Sequence, residues 1–139
     1  MNAHIGLTNT EILLIDDDQW IRDSMTLYFE AEGCHVRSFA TAEEGLTVFK
    51  DEMWDVIIVD YHLPGMDGLT MLDRVQNWSE GIIKILITAY TSDTAISRAR
   101  EVGVNAFIEK PFTADDIESA LMRLLHERRE LEATEEESR

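Results

Sequence analysis

The chain has 139 residues, 45% of them apolar, and carries a formal net charge of −16. That length suits one domain with a core of its own, and the apolar content argues against global disorder. So acidic a balance argues against direct binding to nucleic acid or to an anionic membrane, both of which would repel it.

Residues 1–10 read as an N-terminal extension. They lack the basic stretch and apolar run of a signal peptide. A first strand spans Glu11–Asp16, where Ile12-Leu13-Leu14-Ile15 ends in the acid pair Asp16 and Asp17. A helix over about Trp20–Glu32 follows and stops at Gly33, a residue suited to helix ends. The second strand, Cys34–Phe39, holds the only cysteine. An internal disulfide is therefore impossible, a reducing compartment fits, and Cys34 is expected to be a buried strand residue. Thr41 with Glu44 three residues on has capping-box spacing and opens a helix over Ala42–Asp51.

The third strand, Asp55–Asp60, is short, apolar and β-branched, the pattern of a strand buried on both faces of a parallel sheet. It ends on Asp60, just before the turn Tyr61-His62-Leu63-Pro64-Gly65-Met66-Asp67-Gly68. A helix over Gly68–Trp78, a strand over Ile82–Thr88 and a helix over Asp93–Val102, with Ser92 at its N-cap, come next. Gly103 ends that helix before a fifth strand, Ala106–Glu109, and a last helix starts near Thr113. Residues 127–139 form an acidic tail with Glu127, Glu130, Glu132, Glu135, Glu136 and Glu137, expected to be disordered or a fraying helix. Nowhere does an apolar run approach the roughly 20 residues needed to span a bilayer, so a cytoplasmic protein is the default.

Five strands alternating with helical crossovers imply an α/β fold: a doubly wound parallel sheet in a three-layer α/β/α arrangement, occupying residues 11–126. Open sheets of this kind place ligands beyond the carboxyl ends of their strands. If the first and third strands are central, Asp16, Asp17 and Asp60 converge there. Their mutual repulsion invites a cation, and Mg²⁺ suits an all-oxygen donor set. The plainer reading is that the acids near Trp20 only cap the helix. Thr88 taken alone is an ordinary β-branched strand residue, and Lys110 taken alone a solvated lysine. Together they say more: four of five strands end on an acid pair, an acid, a hydroxyl and an ammonium. That set suits three phosphoryl oxygens around a carboxylate nucleophile.

Ile15-Asp16-Asp17-Asp18, Val59-Asp60 with Leu63-Pro64-Gly65-Met66-Asp67-Gly68, Ile87-Thr88-Ala89 and Glu109-Lys110-Pro111-Phe112 resemble, in order and spacing, the receiver domain of two-component response regulators. The resemblance covers about Thr10 to Leu125. It implies the flavodoxin-like strand order 2-1-3-4-5. It also implies that Asp60 is a phosphoacceptor that takes a phosphoryl group from the phosphohistidine of a sensor histidine kinase or a phosphotransfer protein. Asp17 would be a direct Mg²⁺ ligand with Asp16 assisting and the His62 backbone carbonyl as a third; Mn²⁺ can substitute. Thr88, with Ala89 beside it, and Lys110 would contact the phosphoryl group, and Lys110–Pro111 would be a cis peptide. His62 and Tyr90, two residues after Asp60 and Thr88, would tune hydrolysis. Thr88 and Phe107 would form the switch, reporting through the fourth helix, fifth strand and fifth helix to a downstream target or an output domain, with a phosphorylation-dependent homodimer as a further option. Such a protein is a signalling phosphoacceptor that assists its own phosphorylation and dephosphorylation, not an enzyme with turnover.

Two other readings share parts of the pattern. A receiver-like module that works without phosphorylation would have lost the acid, the Thr or the Lys. A haloacid-dehalogenase-type phosphatase wants a second Asp two residues after the first, where this chain has His62, and needs room for a cap domain. Ile117, Leu121, Leu124 and Leu131 form a stripe on the last helix, interrupted by Arg128; its first part is expected to pack on the sheet. Trp20, Trp54 and Trp78 are expected to be packing residues.

Overall fold

The computed structural model describes residues 6–79, 81–89 and 92–137. Strands and helices alternate from end to end: β1 (Glu11–Ile15), α1 (Gln19–Ala31), β2 (His35–Phe39), α2 (Ala42–Phe49), β3 (Val56–Asp60), α3 (Gly68–Trp78), β4 (Ile83–Thr88), α4 (Asp93–Val102), β5 (Ala106–Glu109) and α5 (Ala114–Glu137). The five strands form one sheet in the order β2-β1-β3-β4-β5, parallel at every pairing. This is the flavodoxin-like arrangement that the family resemblance implied.

Side chains alternate across each strand, and that alternation builds two cores. Ile12, Leu14, Ile58 and Ile85 face Phe29 of α1 and Ile117 and Leu121 of α5. Leu13, Ile15, Ile57, Val59 and Leu86 face Leu46, Leu69, Leu72 and Ala99 of α2, α3 and α4. With both faces covered, β3 and β4 are buried at every position. That explains the apolar runs at residues 56–59 and 85–87, with Lys84 a buried charged exception in β4.

Capping residues fix where the helices start. Asp18 accepts from the N–H groups of Trp20 and Ile21; Thr41, Asp67 and Ser92 each accept from the N–H three residues on. Thr113 and Asp116 cap α5 reciprocally, at 2.8 and 3.2 Å. Gly103 ends α4 with φ 84°, in the left-handed region that glycine tolerates.

Three placements depart from the simplest picture of the ends and surface. Leu7 is fully buried and belongs to the core, and the Asn9 N–H donates to the Gly33 carbonyl at 2.9 Å. Helix α5 continues through the acidic stretch to Glu137. Its Leu131 is exposed, while Arg128 reaches back to Asp55 Oδ1 at 3.2 Å. Trp20 corrects an expectation: it is 78% exposed. The inward stripe of α1 is carried by Ile21, Met25 and Phe29, spaced by four, and Trp20 lies one helical step off it. Trp78 is about half covered and lies edge-on to Phe49 at 6.3 Å, and Trp54 is half-buried against the α2–α3 core. Among the described residues, no helix is long and apolar enough to cross a membrane.

Candidate functional site

The register places the site. Ile15 pairs with Val59, so the residues that leave β1 and end β3, Asp16 and Asp60, emerge side by side. Both are buried, at 0% and 2% exposure. On the other side Asp60 pairs with Ile87, which brings Thr88, buried at the end of β4, next to the acid. Thr88 pairs in turn with Glu109, and the Lys110 N–H donates to the Thr88 carbonyl at 2.9 Å. Four consecutive strand ends thus deliver acid, acid, hydroxyl and ammonium in spatial order.

The α3 N-terminus must come very close to complete this rim. A Cβ on Gly68 would lie 2.3 Å from the Asp60 carbonyl oxygen, so only glycine fits between β3 and α3 there. The Gly68 N–H donates to the Tyr61 carbonyl at 3.0 Å, closing the loop that carries His62.

Charge inside the site is unevenly matched. Lys110 Nζ donates to Asp60 Oδ2 at 2.6 Å and lies 4.0 Å from Asp16 Oδ2. Asp60 Oδ1 accepts from the His62 N–H at 3.0 Å. Asp16 Oδ1 accepts from the Asp18 N–H at 2.9 Å, but Asp16 Oδ2 is buried with no hydrogen-bond partner among the described residues. Burial is the chief reason the Asp16 carboxyl is pushed up to about 6, and the Asp60 charge adds to it. Burial depresses the Lys110 ammonium, yet its hydrogen bond to Asp60 and the nearby acids outweigh that and hold it above the usual lysine range.

Oxygen atoms of Asp16, Asp17 and Asp60 lie within 4.8 Å of one another. A buried carboxylate oxygen without a donor, inside a cluster of hard oxygen ligands, fits a hard divalent cation such as Mg²⁺. Asp17 is exposed and offers the open side of that cluster.

The other sequence-derived candidates occupy mixed positions. Ala89 is exposed beside Thr88. Phe107 is half-buried against the α2–α3–α4 core. His62 is exposed, its ring against that of Tyr61 with centroids 4.9 Å apart. The Lys110–Pro111 bond is cis. Tyr90 lies outside the described residues. Two arginines also reach this end, and of these Arg22 was not among the sequence-derived candidates. Arg22 Nη1 donates to the Asp16 carbonyl at 2.7 Å. Arg98 of α4 donates to Thr70 Oγ1 at 3.0 Å and lies 3.6 Å from Asp67 of the α3 cap. For Arg22, the signal available in the sequence was a cation one helical turn after an acidic loop.

Comparison with known proteins gives a consistent set of likenesses. The model of the response regulator receiver domain family matches residues 12–122. Sporulation initiation phosphotransferase F of Bacillus subtilis is 32% identical over 119 residues, which is 86% of this chain and 96% of that protein. The solved structure of a receiver domain protein (CheY-like) from Methanospirillum hungatei is 32% identical with a TM-score of 0.84, covering 88% of this chain and 98% of that one. NtrX from Brucella abortus is 29% identical with a TM-score of 0.82 and covers 95% of this chain but only 30% of its own.

Proposed function

The chain belongs to the response regulator receiver domain family of two-component systems, and we propose that within it Asp60 is the phosphoacceptor of a phosphorelay. The observation that carries this reading is the 2.6 Å contact of the Lys110 ammonium with a buried Asp60 carboxylate, in a cluster of three acids.

Asp60 Oδ attacks the phosphorus of a phosphohistidine in line. The P–N bond breaks, a P–O bond forms, and the histidine leaves as the imidazole of a sensor kinase or a phosphotransfer protein. The His62 N–H and Lys110 fix the orientation of the attacking carboxylate before the donor arrives. Lys110 and the Thr88 hydroxyl, at adjacent strand ends, supply a cation and a donor for phosphoryl oxygens. Asp16, Asp17 and the His62 backbone carbonyl would hold Mg²⁺ (or Mn²⁺), which supplies charge neutralisation for the carboxylate and phosphoryl oxygens. Hydrolysis of the acyl phosphate resets the protein, with His62, which is exposed, and Tyr90, by its place in the sequence, as tuning positions. Thr88, Ala89 and Phe107 carry the change to the α4–β5–α5 face, where a downstream protein, an output domain or a second copy docks. The lone buried thiol of Cys34 is compatible with the reducing cytoplasm, in which this reading places the chain.

Incubation with a small acyl phosphate donor and Mg²⁺, followed by intact-mass measurement, tests it. One phosphoryl group per chain is expected on the wild type and none on Asp60→Asn. Equal labelling of the two would remove Asp60 from the acceptor role.

A further inference from the structure

We propose that Arg22 is a positioning residue for the metal-binding loop: bound to the Asp16 carbonyl oxygen, it fixes the peptide from which Asp17 projects. The inference rests on reading Asp16, Asp17 and Asp60 as the cation site.

The loop between β1 and α1 is tied down through Asp16 and Asp18, on either side of Asp17. The Asp16 N–H donates to the Phe39 carbonyl at 3.1 Å. Asp16 Oδ1 accepts from the Asp18 N–H, and Asp18 Oδ1 accepts from Trp20 and Ile21. The Asp18 carbonyl accepts from the Arg22 N–H at 3.1 Å. The Asp16 carbonyl lies just past the end of the strand ladder, whose last paired residue on β1 is Ile15. It therefore needs a donor from elsewhere. The half-buried Arg22 side chain, folded back from the first turn of α1, is that donor at 2.7 Å.

Asp17 makes this contact matter. Its carboxylate is exposed, and among the described residues no hydrogen bond holds it. Its direction is set by its backbone, and the Asp16–Asp17 peptide is the plane that Arg22 grips. Arginine suits the task because its planar, multi-donor head loses less freedom per bond than a lysine ammonium. Electrostatics alone points the other way, since a fixed positive charge beside a cation site repels the cation. Positioning and charge thus predict opposite signs when Arg22 is removed.

Calorimetric titration of Mg²⁺ into the metal-free protein, with a thermal melt of each variant, separates them. Arg22→Met is expected to bind Mg²⁺ about tenfold more weakly, the usual effect of losing an outer-sphere support. Arg22→Lys, which keeps the charge and a single donor, is expected to fall between that variant and the wild type. Amide exchange at Asp17 and Asp18 in metal-free Arg22→Met is expected to quicken while that of β3 does not. Unchanged or tighter Mg²⁺ binding in Arg22→Met, or a lowered melting temperature with unaltered affinity, would overturn the proposal. Should Arg22→Met not fold, Arg22→Lys decides by itself: affinity equal to or above the wild type overturns it. A wild type that takes up no Mg²⁺ would refute the cation-site reading itself, a result distinct from any of these.

Discussion

Asp16 is fully buried, and its Oδ2 has no hydrogen bond among the described residues and only the Lys110 ammonium 4.0 Å away, which makes it a stability liability in the metal-free protein. Its carboxyl is raised from 3.8 to about 6, so between those values the folded chain binds more protons than the unfolded one. Stability then falls as pH rises through that window and levels off above it. Removing the titration isolates this contribution. In chelator, Asp16→Asn is expected to match the wild type near pH 4 and to exceed it by up to about 3 kcal/mol above pH 6. Denaturant melts across that range provide the check; a difference that does not depend on pH would contradict it. The same substitution is expected to weaken Mg²⁺ binding, because the oxygen that destabilises the empty site is one that would hold the ion.

At the scale of elements, the site depends on how closely α3 approaches the end of β3. Gly68 opens α3, and replacing a helical glycine with alanine ordinarily stabilises by about 0.5–1 kcal/mol. Here the added Cβ would lie 2.3 Å from the Asp60 carbonyl oxygen, which is backbone and cannot swing away. The clash wins. Gly68→Ala is expected to lower stability by at least about 2 kcal/mol, in the range of overpacked cores, and to reduce phosphoryl capture as the Asp60 loop shifts. A chemical melt and a labelling assay read the two effects; a more stable variant would show that α3 has slack there. Farther along, Arg98 links α4 to the cap of α3 through Thr70 and Asp67. That joins the loop after the acceptor to one element of the proposed output face.

On the scale of the whole molecule, the net charge of −16 acts against compactness. Acids crowd both the site and the last turns of α5, where Glu residues also oppose the helix dipole. Screening should relieve this. Raising NaCl from low concentration to about 0.5 M, where the screening length shrinks to a few ångströms, is expected to raise the melting temperature even of an Asp17→Ala chain. A melting temperature that salt leaves unchanged or lowers would mean that local ion pairs, such as Arg128 with Asp55, outweigh the global repulsion. The chain spans nearly all of one relative but under a third of another, so the same receiver unit occurs in proteins of very different length.

The strand order followed only from the family resemblance. The alternation of strands and helices and the strand-end positions of Asp16, Asp60, Thr88 and Lys110 were legible in the amino-acid sequence, because apolar period, glycine stops and caps are local signals that one-dimensional spacing preserves. The helix caps at Thr41 and Ser92 were legible for the same reason. What needed the tertiary structure were contacts between residues far apart in the chain or set by helix phase. The 2.6 Å approach of Lys110 to Asp60 crosses 50 positions, and the tight seat of Gly68 depends on a neighbouring backbone. The fold alone turned Trp20 to solvent while Arg22, two residues on, folded back onto the Asp16 carbonyl. A sequence records which groups stand at the ends of its elements; the packing of those elements decides which atoms meet.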